Sequence, residues 1–126
     1  MNKKITLIII VILIILVIIV LLSANKLIKA NKLEYYHENE KEMIEASEDY
    51  FRDYINYLPK EVGSKTRVLL SALVIEEYIE MIKDINNNDC NSNKSYVEVE
   101  KTSDEEFLYK AHLVCDNDNY ETKDGE

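Results

Sequence analysis

The chain has 126 residues and a formal net charge of −9, with 24 Asp and Glu against 15 Lys and Arg. Nucleic acid and anionic lipid both select for basic surfaces, so this balance argues against either as a partner of the polar part of the chain. Only two glycines are present, and the sequence contains no Gly-rich phosphate loop, nucleophile elbow or paired histidine ligands, so we predict that the protein is not an enzyme.

Residues Ile5 to Leu22 form an apolar segment without a charge, glycine or proline. As a helix at ~1.5 Å per residue this segment measures about 27 Å, close to the roughly 30 Å hydrocarbon core of a bilayer. Secretory signal peptides have shorter apolar regions of about 7–15 residues and a small-x-small cleavage site. A cut after Ala24 would place the bulky Leu22 at the −3 position, where such a site needs a small residue. The pattern favours a retained membrane anchor (a signal-anchor) over a cleaved signal peptide, which is the alternative.

Basic residues flank this segment on both sides. Two lysines precede it, and Lys26, Lys29 and Lys32 follow it, so with the amino terminus included the positive-inside count is a tie. A short basic tail is costly to translocate, whereas a long acidic remainder can cross regardless of its charge. We therefore expect a single-pass protein of the cell membrane. Residues 1–24 would be the cytoplasmic tail and transmembrane helix, and the carboxy-terminal domain would be extracellular.

Residues 25–58 are predicted to be an amphipathic helix that continues from the membrane. The chain has neither glycine nor proline from Ser23 to Leu58, and its apolar side chains recur at three- and four-residue spacing. One continuous rod and two helices joined by a hinge within residues 23–31 both fit this pattern. Apolar residues on the helix would form a surface for self-association or for a partner. These residues are Leu27, Ile28, Leu33 and Tyr36.

Residues 59–126 are predicted to form a small extracellular head. Pro59 to Thr66 is expected to be a loop in which Gly63 can adopt a positive φ. The apolar spacing of Arg67 to Ile79 predicts a short second helix. This helix would pack against the aromatic face of the first helix that carries Tyr50, Phe51 and Tyr54.

Two alternating segments, Ser95–Glu100 and Phe107–Cys115, predict an antiparallel hairpin. Aligning their apolar faces places Cys115 opposite about residues 91–93, close to Cys90. In an exported domain this predicts a Cys90–Cys115 disulfide, while two free thiols in a cytoplasmic head are the alternative. The predicted fold class is α+β, with a long amino-terminal transmembrane and amphipathic helix, a short second helix and a small antiparallel β-hairpin or sheet.

Acidic residues lie close to both cysteines. Asp84 and Asp89 precede the first cysteine, and Asp116 and Asp118 follow the second. Carboxylate oxygens are ligands that Ca²⁺ prefers, so calcium is the one cofactor that these residues suggest. Neither stretch follows the EF-hand spacing, and a solvated polar loop is the alternative interpretation.

This combination of elements resembles the type IV pilin and pseudopilin family of bacteria. Thr6, Leu7 and Ile8 match the prepilin signal Gly-Phe-Thr-Leu-Ile-Glu. Lys4 and Ile9 depart from it, at the positions of the glycine that the prepilin peptidase needs and of the glutamate that pairs with a neighbouring subunit. The resemblance implies a displayed structural or interaction protein of a bacterial surface or type II secretion apparatus, with pilin-like partners. Some pseudopilins also bind calcium near their carboxy terminus.

A second hypothesis comes from a different functional class. The chain would then be a monomeric membrane-tethered binding module. Its acidic head would recognise an extracellular cation, peptide or cell-wall ligand and would not polymerise.

Overall fold

The computed structural model describes residues 2–123. Its first element is a single helix, α1, that runs from Lys3 to Asp53. The helix has no break within residues 23–31, so the two-helix alternative does not hold. It ends before the expected Leu58, and a 3-10 turn follows at Ile55–Tyr57. The chain divides into two compact units, one up to Glu34 and one from Tyr35 onward.

The unit up to Glu34 consists of the first part of α1. Its large apolar side chains from Ile5 to Leu22 are each 45–65% exposed. The most apolar 18-residue window has a mean hydropathy of 4.0 and none of it is buried. A helix that is apolar on all sides suits lipid rather than the core of a small protein. The chain thus has one amino-terminal helix that is long and apolar enough to cross a membrane.

The unit from Tyr35 onward, which we call the head, combines the second part of α1 with two antiparallel sheets. The later elements are β1 (Lys65–Leu69), α2 (Leu70–Ile75), β2 (Tyr96–Lys101), β3 (Phe107–His112), β4 (Val114–Cys115) and β5 (Tyr120–Glu121). The first sheet has the order β1-β2-β3, and the second pairs β4 with β5. The α+β fold class, with a long first helix, a short second helix and a small antiparallel sheet, is therefore confirmed.

Strand β1 corrects the predicted extent of the second helix. The predicted helix began at Arg67, but β1 continues to Leu69 and pairs antiparallel with β2. Val68 points into the core and lies opposite Val97, while the exposed Arg67 bonds to Glu98 across the strands at 2.9 Å. Pairing with β2 therefore outweighs the helical spacing of this segment, as is common for short segments whose partner is distant in sequence.

The core of the head lies between α1, α2 and the inner face of the first sheet. Val97 and Val99 of β2 are fully buried, as their alternation predicts. They belong to one apolar cluster with Met43 and Phe51 of α1 and Leu73 of α2. The second part of α1 is therefore a structural component of the head.

Candidate functional site

The predicted interaction surface on α1 is only partly accessible. Leu27 and Ile28 are each 64% exposed and Leu33 is 44% exposed. Tyr36 is fully buried, so the prediction that it belongs to this surface is wrong. The reason is that the ring of Tyr120 covers it, stacked at 3.9 Å between ring centroids.

Tyr36 belongs instead to a polar network inside the head. Its hydroxyl donates a hydrogen bond to Oδ2 of Asp118. Burial, and then this hydrogen bond, raise the pKa of Tyr36 well above its usual range. The phenol therefore remains a neutral donor at all physiological pH values. Beside it, the hydroxyl of Tyr120 donates to Oε1 of Glu40, and Thr122 donates to the same oxygen at 2.6 Å.

A second pair of tyrosine contacts lies near the end of α1. The hydroxyl of Tyr54 donates to Glu76 at 3.2 Å, and that of Tyr78 donates to Asp53 at 2.5 Å. The hydrogen bond from Tyr78 to Asp53 raises the pKa of Tyr78 to about 12. We call these two bonds, together with Tyr36–Asp118 and Tyr120–Glu40, the tyrosine–carboxylate pairs. Each joins α1 or the residue that follows it to a later part of the head.

The four aspartates predicted to bind calcium are not gathered into one site. Asp89 pairs with Lys83, Asp116 accepts a hydrogen bond from Asn91 at 2.8 Å, and Asp118 accepts the Tyr36 hydroxyl. Within residues 2–123, no three His, Cys, Asp or Glu side chains lie close enough to hold a metal ion. Each carboxylate instead has a separate neighbour as its partner.

Asp84 differs from the other three aspartates because it is buried, with 2% of its surface exposed. Its Oδ1 accepts the backbone N–H groups of Asn86 and Asn88 at 2.8 and 2.9 Å, so this carboxylate fixes the turn. Its Oδ2 is the buried side-chain oxygen that lacks a hydrogen-bond partner in the described part of the chain. Calcium binding thus stays a prediction.

The predicted disulfide is present. Cys90 and Cys115 are bonded, with their Cα atoms 4.1 Å apart. Next to the bond, the N–H of Asn91 donates to the carbonyl of Val114 at 2.7 Å. The bond thus holds β4 to the segment that precedes β2, which confirms the pairing expected from strand register.

A shallow groove opens on the surface of the head. It consists of two adjoining clefts of about 420 and 570 Å³ that share Ile79, Glu80 and Met81. The remaining lining residues are Tyr35, Asn39, Glu42, Ile82 and Lys83 in the first cleft and Val74, Glu77 and Tyr78 in the second. This groove could not be predicted from local sequence patterns, because its lining residues come from segments about forty positions apart in the chain.

Together these features define an α+β protein with one helix that is long and apolar enough to cross a membrane and a head closed by a disulfide. No family model, no curated protein and no solved structure matches this chain. Its function must therefore be inferred from the chemistry of its own residues.

Proposed function

We propose that the chain is a single-pass membrane protein that displays its head outside the cell, as a pilin-like structural or interaction component of a bacterial surface or secretion apparatus. The main support is the continuity of α1. One helix supplies both a membrane-length apolar segment and the residues Met43 and Phe51 of the head core. The Cys90–Cys115 disulfide adds support, since such bonds persist in oxidising compartments.

Membrane orientation is tested with two reporter cysteines, one at each end of the proposed span. Glu105 lies exposed in the turn between β2 and β3, and Asn2 lies exposed before the span. We expect a membrane-impermeant maleimide to label Glu105→Cys on intact cells and Asn2→Cys only after lysis. The native cysteines are bonded and buried, so they serve as a silent background. The opposite labelling pattern would refute display of the head.

Self-association is tested by cross-linking through the exposed part of α1. Leu27→Cys should give ladders of cross-linked species if the exposed apolar residues form the contact between copies. Lys29→Cys is the matched control, because two residues further along a helix the side chain lies about 200° around the axis. Equal ladders at both positions, or none at Leu27, would contradict assembly through this surface.

The second candidate function is a monomeric membrane-tethered binding module. The observation that favours it is the groove on the head, which is open to solvent and bordered by the exposed carboxylates of Glu42, Glu77 and Glu80. Ligand binding by a chain that gives no cross-linked ladders would support this candidate over assembly.

A further inference from the structure

The groove has an apolar floor between acidic walls. Ile79 and Met81 are half-buried at its centre, and Tyr78 and Val74 extend the floor on one side. Methionine side chains adapt to differently shaped partners, which is why they are common at binding surfaces. The floor thus provides apolar contact area without requiring one fixed ligand shape.

The carboxylates on the walls are not neutralised by the protein. In the described structure, the side-chain carboxylates of Glu42, Glu77 and Glu80 take part in no hydrogen bond or ion pair, and all three residues are exposed. From Val68 to Ile82 the sequence contains no Lys, Arg or His. The lysine at the far end of the groove, Lys83, is already paired with Asp89. The groove therefore presents uncompensated negative charge.

The shape of the groove favours an extended ligand. The helix side of the first cleft is formed by Tyr35, Asn39 and Glu42, which follow one face of α1 for about 10 Å at ~1.5 Å per residue. The second cleft continues from the first along the segment that follows α2. An extended peptide advances about 3.3 Å per residue and points successive side chains to opposite sides. Alternate residues of such a peptide can contact the apolar floor and the acidic walls.

We propose that this groove binds an extended segment of a partner protein that carries Lys or Arg side chains between apolar ones. The basic groups pair with Glu77, Glu80 and Glu42, and the apolar side chains contact Ile79 and Met81. An Arg side chain of the ligand gains additional binding free energy from the exposed aromatic ring of Tyr35 at the edge of the groove, because guanidinium groups stack on aromatic faces. This inference rests on the proposed display of the head, because display determines which partners the head meets.

The test uses the full chain in nanodiscs of zwitterionic phosphatidylcholine, which carries no net charge. The probe is a fluorescein-labelled peptide in which Arg alternates with Val, and binding is followed by fluorescence anisotropy. A peptide with Glu in place of Arg is the reference and should not bind. Replacing both Glu77→Gln and Glu80→Gln should weaken binding roughly fivefold, since each exposed ion pair contributes about 0.2–1 kcal/mol.

The matched control neutralises two exposed carboxylates elsewhere on the head, with Glu105→Gln and Glu106→Gln, and should leave binding unchanged. Equal losses of peptide affinity in the two double variants would mean that binding depends on the net negative charge of the head and not on the groove. This would overturn the proposal. So would the absence of saturable binding. Because binding is measured on purified protein, its failure is distinguishable from a failed orientation test on cells.

Discussion

Glu77 occupies a backbone conformation that disfavours its own side chain. It follows α2 with φ at +62°. The N–H of Tyr78 bonds to the carbonyl of Leu73 at 2.9 Å, and the N–H of Glu77 bonds to that of Val74 at 3.1 Å. These two bonds form a Schellman motif, in which glycine usually takes the left-handed position. We therefore predict that Glu77→Gly stabilises the head.

The size of this gain follows from two opposing terms. A left-handed backbone costs a non-glycine residue roughly 1–2 kcal/mol. Glycine loses about 0.5–1 kcal/mol more conformational entropy on folding. The Glu77 carboxylate has no partner in the described residues, so its removal forfeits no contact. The expected net change is a rise of about 0.5–1 kcal/mol in the free energy of unfolding, or about 0.3–0.5 M in the urea midpoint for an m-value of ~2 kcal/mol/M.

The assay is urea unfolding of the full chain in uncharged micelles, followed by the near-ultraviolet circular dichroism of the tyrosines. Asn87→Gly is the matched control, because Asn87 also has a positive φ, at +67°, but asparagine tolerates this region well. We expect little or no gain there. An unchanged or lower midpoint for Glu77→Gly, or an equal gain at Asn87, would refute the backbone-strain account.

Three further predictions concern the disulfide and the tyrosines. Removing the Cys90–Cys115 bond, which spans 25 residues, should lower the free energy of unfolding by about 3.5 kcal/mol in the same assay, and an unchanged midpoint would contradict this. The folded-state pKa of Tyr78, about 12, lies above the ordinary value, so its stabilising contribution is present below about pH 10 and is lost as the pH rises through 12. When tyrosine ionisation is followed by absorbance, Tyr78→Phe should remove the phenol that ionises near pH 12. Tyr36→Phe should cost about 1–2 kcal/mol, and clearly more than Tyr35→Phe, whose hydroxyl bond is exposed.

The long helix could be predicted from the sequence because its signals are local. The apolar segment and the absence of glycine and proline up to Leu58 both favour one helix. The end of the helix at Asp53 could not be predicted in this way. Tyr54 leaves the helical region with φ −113° and ψ 55°, and its hydroxyl is held by Glu76, which is distant in sequence. Tertiary contacts thus end a helix that the sequence alone would continue.

The strands were predictable only where the alternation was long enough. β2 and β3 have six residues each, and the predicted hairpin matched them closely. β5 has two residues, too few for any periodicity to appear. The predicted second strand also ran through Leu113, where the structure interrupts it. The N–H of Leu113 is bonded to the side chain of Thr122 at 2.8 Å, a contact that no local pattern reveals.

The disulfide could be predicted from the sequence, whereas the tyrosine–carboxylate pairs could not. The register of the predicted hairpin placed Cys90 near Cys115, so elements already recognised were sufficient for that prediction. The tyrosine–carboxylate pairs join residues that are 22 to 82 positions apart. The spacing of Tyr50, Tyr54 and Tyr57 indicated a shared helix face, but it gave no information about which carboxylates would reach them.

These pairs explain how so acidic a head can hold its helix in place. After Leu22 the chain has all 24 of its Asp and Glu but only 13 of its 15 Lys and Arg, because Lys3 and Lys4 precede the span. Cations are therefore too few to neutralise every carboxylate. A phenol is a neutral donor, and a hydrogen bond to a charged acceptor contributes about 1.5–3 kcal/mol. Tyrosines thus anchor α1 without using cations, and exposed carboxylates such as Glu77 and Glu80 remain available for a basic partner.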